Sequence, residues 1–206
     1  MTFRNEKKIR VNSSKIYDLI NWIDKNEGFQ LFPNRVINSI YFDTGNFSMY
    51  SDSMEGVLPR KKIRLRNYNY KFLFDQNVKK EIKISSAEGR FKTSRIEKNP
   101  LNMMKLGYMD QDYGLCSPVI NIVYERSYYK VKNIRLTLDQ KIIYRRIYNS
   151  QISSFSTYDN SNVVELKFSS ESLNNSVIKN FPFELSRFSK YCRGIEFIRN
   201  NYCNEL

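Results

Sequence analysis

Apolar and polar residues alternate along much of the chain, with the period of two that is typical of a β-strand. In Ile63-Arg64-Leu65-Arg66 two arginines alternate with two apolar residues. The segments that follow this pattern, or form short apolar β runs, are 3–11, 36–43, 60–70, 78–85, 89–96, 118–131, 134–139, 141–148 and 163–169. The sequence therefore predicts about eight strands, mostly in succession and paired antiparallel.

The helical period of 3.6 is found at the edges of this β-rich pattern. After Asn12-Ser13-Ser14, which is a suitable helix cap, apolar residues fall at helical spacing up to Gly28. Further helices are predicted at 172–180 and 186–200, with a short one within 100–117. Strands in succession with helices at the edges predict an α+β fold.

The charged residues of the predicted strands fall on one face of each strand. Glu6-x-Lys8, Glu81-x-Lys83 and Glu165-x-Lys167 each put a carboxylate and an ammonium group two residues apart. A single run of this kind is most often the solvated face of a one-sided sheet. The recurrence favours the alternative, a closed barrel whose charges line a cavity. Because buried cations are destabilising unless paired, such a cavity fits a polyanion such as polyphosphate.

The amino-acid composition limits the classes of function that fit this chain. Lysine and arginine number 34 against 21 aspartates and glutamates, and the formal net charge of +13 favours anionic partners. Histidine is absent, which excludes a phosphohistidine intermediate, a Ser-His-Asp triad and a histidine-rich zinc site. Three cysteines without CxxC spacing favour a reduced, intracellular setting. With no signal-peptide pattern and no apolar run of membrane-spanning length, we expect a soluble, cytoplasmic protein.

Short charged and aromatic motifs follow one another in an order that resembles a known family. They are Lys8, Tyr41-Phe42-Asp43, Arg64-x-Arg66, Glu81-x-Lys83, Tyr124-x-Arg126, Arg135-x-Thr137-x-Asp139, Glu165-x-Lys167 and Ser189-Lys190. Over about residues 3–200 this order resembles the VTC domain, the polyphosphate polymerase domain of the vacuolar transporter chaperone family. That family belongs to the triphosphate tunnel metalloenzyme superfamily. The resemblance implies a single VTC-like domain over residues 1–206, an antiparallel β-barrel that forms a cationic tunnel, with flanking helices including a C-terminal helix.

The resemblance also implies an activity and a set of site residues. Members of the family transfer the γ-phosphate of ATP to a growing polyphosphate chain, with Mn²⁺ or Mg²⁺ as the cofactor. The residues that match catalytic positions are Arg64, Arg66, Lys83, Arg126, Arg135 and Glu165. Those that match further phosphate-binding positions are Lys8, Lys92, Tyr124, Lys167, Ser189 and Lys190. Glu165 matches the carboxylate that holds the metal ion.

One motif departs from the hydrolytic branch of the superfamily. That branch opens with E-x-E-x-K on the first strand, whereas this chain has Arg4-x-Glu6-x-Lys8. A cation in place of the first carboxylate argues against hydrolysis and for phosphoryl transfer to a phosphate acceptor.

Two other functions stay open. A triphosphatase of the same fold would cleave tripolyphosphate or thiamine triphosphate. A non-catalytic domain would bind RNA or another polyanion, since Tyr68 and Tyr70 stand among basic residues, although such aromatic residues more often belong to a strand or a core. As partners we expect ATP or another nucleoside triphosphate and polyphosphate rather than nucleic acid. A separately encoded membrane protein would hold the domain at the inner membrane face.

Overall fold

The computed structural model describes residues 4–75, 77–169, 180–184 and 188–202. The strands are β1 (Arg4–Asn12), β2 (Phe29–Asp43), β3 (Arg60–Asn67), β4 (Lys79–Ser86), β5 (Gly89–Ile96), β6 (Tyr108–Asp110), β7 (Gly114–Val131), β8 (Ile134–Tyr148), β9 (Gln151–Ile152), β10 (Thr157–Asp159) and β11 (Ser161–Ser169). The helices are α1 (Ile16–Lys25), α2 (Ser48–Glu55), α3 (Pro100–Leu106) and α4 (Lys190–Tyr202). The predicted α+β fold, with an antiparallel sheet of about eight strands and a C-terminal helix, is confirmed.

Some predicted boundaries are wrong for local reasons. β2 begins at Phe29 rather than at 36. Pro33 does not interrupt the strand, because it lies in the largely exposed first half of β2, where a missing N–H group is tolerated. β8 is one continuous strand, and the predicted break near 140 is only the positive φ of 52° at Lys141. The helix predicted at 172–180 lies, apart from its last residue, outside the described residues. In the part of the chain that the structure describes, no helix is both long and apolar enough to cross a membrane.

Helix α2 was missed because its capping residue lies outside the helix. Asp43, at the end of β2, accepts hydrogen bonds from the backbone N–H groups of Met49 at 2.9 Å and Tyr50 at 3.0 Å. It thereby satisfies donors of the first helical turn that have no partner within a helix. The local sequence of α2 is polar, and its first N–H groups bond to Asp43 at the end of β2 and to Thr44 directly after it.

The chain forms two compact units. Unit 1 comprises Met1–Val36, Tyr124–Ile142 and Tyr158–Phe188, and unit 2 comprises Ile37–Val123, Ile143–Thr157 and Ser189–Leu206. Strands β2, β7 and β8 contribute residues to both units. The strand order is β1-β11-β8-β7-β2 in unit 1 and β8-β7-β2-β3-β4-β5 in unit 2. The single domain and the enclosed tunnel, which concern both units together, stay predictions.

Each unit has an apolar core on one face of its strands. In unit 1 the apolar positions of β1, β8 and β11 pack with helix α1, and the buried set includes Ile9, Val11, Leu19, Trp22, Ile23, Leu136, Leu138, Val164 and Leu166. In unit 2 the corresponding set includes Ile40, Phe42, Met49, Ile63, Leu65, Met103 and Met104. Because side chains alternate along a strand, both cores force the intervening polar residues onto the opposite face.

Helix α4 packs closely in unit 2 through a glycine. A Cβ atom at Gly194 would lie 2.5 Å from Cδ1 of Ile120 and 2.7 Å from Cδ1 of Tyr144. A larger residue would therefore require Ile120, Tyr144 or the helix itself to shift. This close approach fixes where the N-terminal residues of α4 lie.

Candidate functional site

The two arginines of β3 that were predicted as site residues lie on the face of the strand that points away from the core of unit 2. Ile63 and Leu65 are fully buried in that core, so Arg64 and Arg66 project from the other face of the strand. The same alternation continues on β4 and β5, because β4 pairs in register with β3 and β5 pairs in register with β4. We call this surface the cationic face; its residues are Lys62, Arg64, Arg66, Lys79, Glu81, Lys83 and Lys92.

One carboxylate is shared by several cations of the cationic face. Oε2 of Glu81 accepts from Arg64 at 2.7 Å (Nε) and 2.6 Å (Nη2), and Nη1 of Arg66 lies 3.4 Å away. Oε1 of Glu81 lies 2.5 Å from Nζ of Lys92. Burial alone would raise the pKa of Glu81, but the surrounding positive charges outweigh it and lower the pKa to about 2. Glu81 is therefore a fixed negative charge that orients its neighbours.

Three lysines lie side by side across β3, β4 and β5. Lys62 is paired in register with Lys83, and Lys83 with Lys92. Like charges directly opposite each other destabilise a sheet. Burial lowers the pKa of Lys92, although the carboxylate of Glu81 opposes the change. A row of three ammonium groups is the arrangement that an anion would stabilise.

Helix α4 brings a hydroxyl group to this row. Oγ of Ser189 accepts from Nζ of Lys62 at 2.8 Å and from the backbone N–H of Cys192 at 3.3 Å, so Ser189 also caps α4. Lys190, the first residue of the helix, is half-buried. Lys62, which the ordered sequence motifs do not include, belongs to the cationic face.

The polar face of unit 1 mixes both charges in a different way. Its strands are β1, β11, β8 and β7, and we call it the mixed face; its residues are Glu6, Lys8, Arg10, Tyr124, Arg126, Arg135, Thr137, Asp139, Glu165 and Lys167. In register, Lys8 lies opposite Glu165, and Lys167 lies between Glu6 and Arg135. Lys8 and Lys167 therefore each have a carboxylate directly opposite, as a stable sheet prefers, although Lys167 also lies beside the cation of Arg135.

The carboxylates of the mixed face each have a close cation. Nε and Nη2 of Arg126 donate to the two carboxylate oxygens of Asp139 at 2.5 and 2.7 Å, and the Asp139 side chain is fully buried. Glu165 accepts from Nζ of Lys167 at 2.8 Å. Burial alone would raise the pKa of Glu165, but the charges of Lys8 and its other cationic neighbours hold that pKa well below its usual range. Glu165 is thus ionised at neutral pH.

The structure brings the predicted residues together in two sets. Arg64, Arg66, Lys83, Lys92, Ser189 and Lys190 belong to unit 2; Lys8, Tyr124, Arg126, Arg135, Glu165 and Lys167 belong to unit 1. Arg135 is exposed, and Tyr124 is buried with the guanidinium of Arg126 at 5.4 Å from its ring centroid. Sequence reasoning did not name Glu81 as the centre of the cationic face, although the repeated E-x-K pattern marked it. It also gave no role to Tyr41, whose hydroxyl accepts from Arg64 at 2.7 Å.

Two solved structures share this fold. A "putative adenylate cyclase" from Vibrio parahaemolyticus is 16% identical, covers 95% of this chain and 98% of its own, and superposes with a TM-score of 0.52. A "putative adenylyl cyclase" from Hippeastrum, described as having a dominant triphosphatase activity, is 16% identical, with coverages of 94% and 96% and a TM-score of 0.53. At this identity the similarity concerns the fold alone.

The sequence itself matches a family over nearly its whole length. No curated protein sequence matches the chain significantly. The model of the VTC domain, however, matches residues 3–199. This range contains both the cationic face and the mixed face. The resemblance seen in the ordered motifs is thereby confirmed, and the chain belongs to the VTC domain family.

Proposed function

We propose that this protein is a metal-dependent polyphosphate polymerase, which transfers the γ-phosphate of ATP or another nucleoside triphosphate to a growing polyphosphate chain. Membership in the VTC domain family supports an enzyme that acts on phosphates. The row of Lys62, Lys83 and Lys92 is the observation that carries the proposal. Ammonium groups in adjacent register, next to two guanidinium groups, suit a linear polyanion with a charge on every phosphate.

The lowered pKa values of Glu81 and Glu165 favour phosphoryl transfer over hydrolysis. A general base that activates water needs a pKa near the working pH. Glu81 has a pKa of about 2, and the pKa of Glu165 is held well below its usual range, so both are poor proton acceptors. The terminal oxygen of a polyphosphate chain is already anionic and needs no base. A chain without histidine suits an anionic acceptor better than water.

The mixed face offers oxygen atoms of the kind that Mg²⁺ and Mn²⁺ bind. Glu165 is ionised, and Thr137, directly opposite it in register, has a buried Oγ1 atom without a hydrogen-bond partner. Within the described ranges, no three carboxylate, thiol or imidazole groups cluster as a metal cage. Mg²⁺ commonly uses one or two protein ligands together with phosphate oxygens and water. Glu165 and Thr137 therefore form a donor set that fits such a metal ion, with Glu165 as its charged ligand.

The residues of the cationic face would mainly position phosphates and offset their charge. The anionic oxygen at the end of the chain attacks the γ-phosphorus. A new P–O bond forms, the bond to the β–γ bridging oxygen breaks, and the nucleoside diphosphate leaves with that oxygen. Arg64, held by Glu81, presents fixed donors to the negative charge of the transferred group. When bound, the metal ion supplies further charge neutralisation on the phosphate oxygens.

Incubation of the protein with ATP and Mn²⁺ or Mg²⁺, followed by gel separation of the products, tests the proposal. Wild-type protein should make long polyphosphate chains. Arg64→Ala should lower the rate of synthesis by roughly 100-fold or more, because it removes an oriented charge from the transition state. Arg95→Ala is the matched control, since Arg95 is exposed and lies on the other face of β5 from Lys92. Equal synthesis by folded Arg64→Ala and wild-type protein would refute the assignment.

The alternative is a triphosphatase of the same fold, and the activity described for the Hippeastrum protein favours keeping it. The same gel separates the two, because a triphosphatase releases phosphate without forming long chains. A polyanion-binding domain without catalysis would give neither product. Its sign would be salt-sensitive RNA binding that depends on Tyr70, which is largely exposed.

A further inference from the structure

Tyr41 on β2 contacts the arginine that the proposed reaction depends on most. Two nitrogen atoms of the Arg64 guanidinium, Nε and Nη2, are held by Glu81 on one side. The third, Nη1, donates to the hydroxyl oxygen of Tyr41 at 2.7 Å on the other side. The five N–H donors of a guanidinium group lie in one plane, so contacts on both sides fix the direction of the whole group.

Tyr41 is itself held in place through α4. Its ring stacks on Tyr191, with centroids 5.1 Å apart and an interplanar angle of 22°. The hydroxyl of Tyr191 donates to Asp43, which also accepts from the backbone at the start of α2. Burial and this carboxylate keep the pKa of Tyr191 well above its ordinary value, so it stays protonated. The ring of Tyr41 therefore has a fixed position beside Arg64.

The charges that face Tyr41 are mostly positive. Groups on the packed elements are Lys62, Arg64 and Arg66 on β3, Glu81 on β4, Lys92 on β5, Asp43 on β2, and Tyr191 and Cys192 on α4. Burial raises the pKa of Tyr41, but the positive charges led by Arg64 and Arg66 outweigh it and lower the pKa to about 8. A phenolate at this position would place a second negative charge against Arg64.

We propose that Tyr41 is a positioning residue for anion binding: its neutral hydroxyl directs Arg64 toward the anion, and loss of its proton sets the alkaline limit of binding. The proposal rests on the proposed function for the identity of the anion, a triphosphate or polyphosphate. Above the transition, Glu81 and the phenolate together neutralise Arg64. The site then presents less positive charge, and the phosphate anion competes with the Tyr41 phenolate for Arg64.

Calorimetric titration of the full chain with tripolyphosphate between pH 7 and pH 9.5 tests this inference. For wild-type protein, affinity should be constant up to about pH 8 and then fall by up to about tenfold per pH unit, as one proton is lost. Tyr41→Phe should bind a few-fold more weakly at pH 7, and its affinity should fall much less than that of wild-type protein above pH 8. Lys92 is retained in the variant, so its own titration contributes equally to both proteins. Tyr158→Phe, at an exposed tyrosine, is the control that should keep the wild-type profile.

Ultraviolet absorbance titration gives a readout that does not depend on function. Subtracting the Tyr41→Phe curve from the wild-type curve isolates one phenol, which should ionise near pH 8. Ionisation near pH 10, or a Tyr41→Phe affinity profile that falls like the wild-type one, would overturn the inference. Absence of tripolyphosphate binding at every pH, with a phenol that still ionises near pH 8, would instead remove the proposed function.

Discussion

The two charged faces of this protein are built from the same kinds of residue but differ in how carboxylates are distributed. On the mixed face each carboxylate has a cation of its own, as Asp139 has Arg126 and Glu165 has Lys167. On the cationic face the single carboxylate of Glu81 contacts three cations, and Lys62 and Lys83 lie in register beside one of them, Lys92. One carboxylate carries a single negative charge against the three positive charges that it contacts. The comparison teaches that sheets built from the same kinds of residue can carry a small or a large excess of positive charge, and that the larger excess suits an external anion.

The largest expected effect tests the paired arrangement. Arg126→Met should lower the free energy of unfolding by about 4 kcal/mol, because it leaves the fully buried carboxylate of Asp139 without its cation. Urea unfolding measures the change. Adding Asp139→Leu to Arg126→Met should recover most of it, since both buried charges are then gone. Lys141→Met, which breaks an exposed pair with Glu125, is the control that should change little.

The next effect tests the shared carboxylate. Glu81→Gln keeps the shape of the side chain but removes the charge that offsets the arginines, so the free energy of unfolding should fall by about 3 kcal/mol. Sulfate should restore part of the loss, because an anion can take the place of the missing charge. Glu88→Gln, at an exposed glutamate on the turn between β4 and β5, should leave unfolding unchanged. A loss that sulfate does not reduce would contradict a surplus of positive charge.

The pH dependence of stability sharpens the same point. The pKa of Glu81 is about 2 when folded and near its ordinary value of 4.5 when unfolded. A lowered folded pKa contributes stability that is complete above pH 4.5 and is lost as the pH falls toward 2. For Glu81 the contribution is about 3 kcal/mol. Unfolding followed from pH 6 to pH 2 should therefore decline less steeply in Glu81→Gln than in wild-type protein, with Glu165 causing a decline in both.

The smallest effect compares two half-exposed lysines. Lys167→Ala on the mixed face and Lys92→Ala on the cationic face should each change the free energy of unfolding by less than about 1 kcal/mol, because partly solvated ion pairs contribute little. Tripolyphosphate affinity should separate them. If only the cationic face holds surplus charge, Lys92→Ala weakens binding more than Lys167→Ala does. Equal losses would remove the contrast between the faces.

Much of the fold could be predicted from the local sequence pattern, but parts of the candidate site could not. Alternation assigned Arg64 and Arg66 to one face of β3, and a strict period of two makes such an assignment reliable wherever the other face is buried. The start of α2 was missed because its cap, Asp43, lies on the preceding strand. The roles of Tyr41 and Lys62 could be assigned only from their contacts with neighbouring strands and with α4. Such contacts join residues far apart in the chain, and no short-range pattern contains them.

By itself the sequence determined which residues could share a face, the large positive charge, the absence of histidine and membership in the VTC domain family. Tertiary structure decided the register that aligns Lys62, Lys83 and Lys92 and gathers the arginines around Glu81. The physical reason is that alternation depends only on neighbouring residues. The energy of a charge depends instead on every group within a few ångströms and on its burial, and only the folded chain sets these.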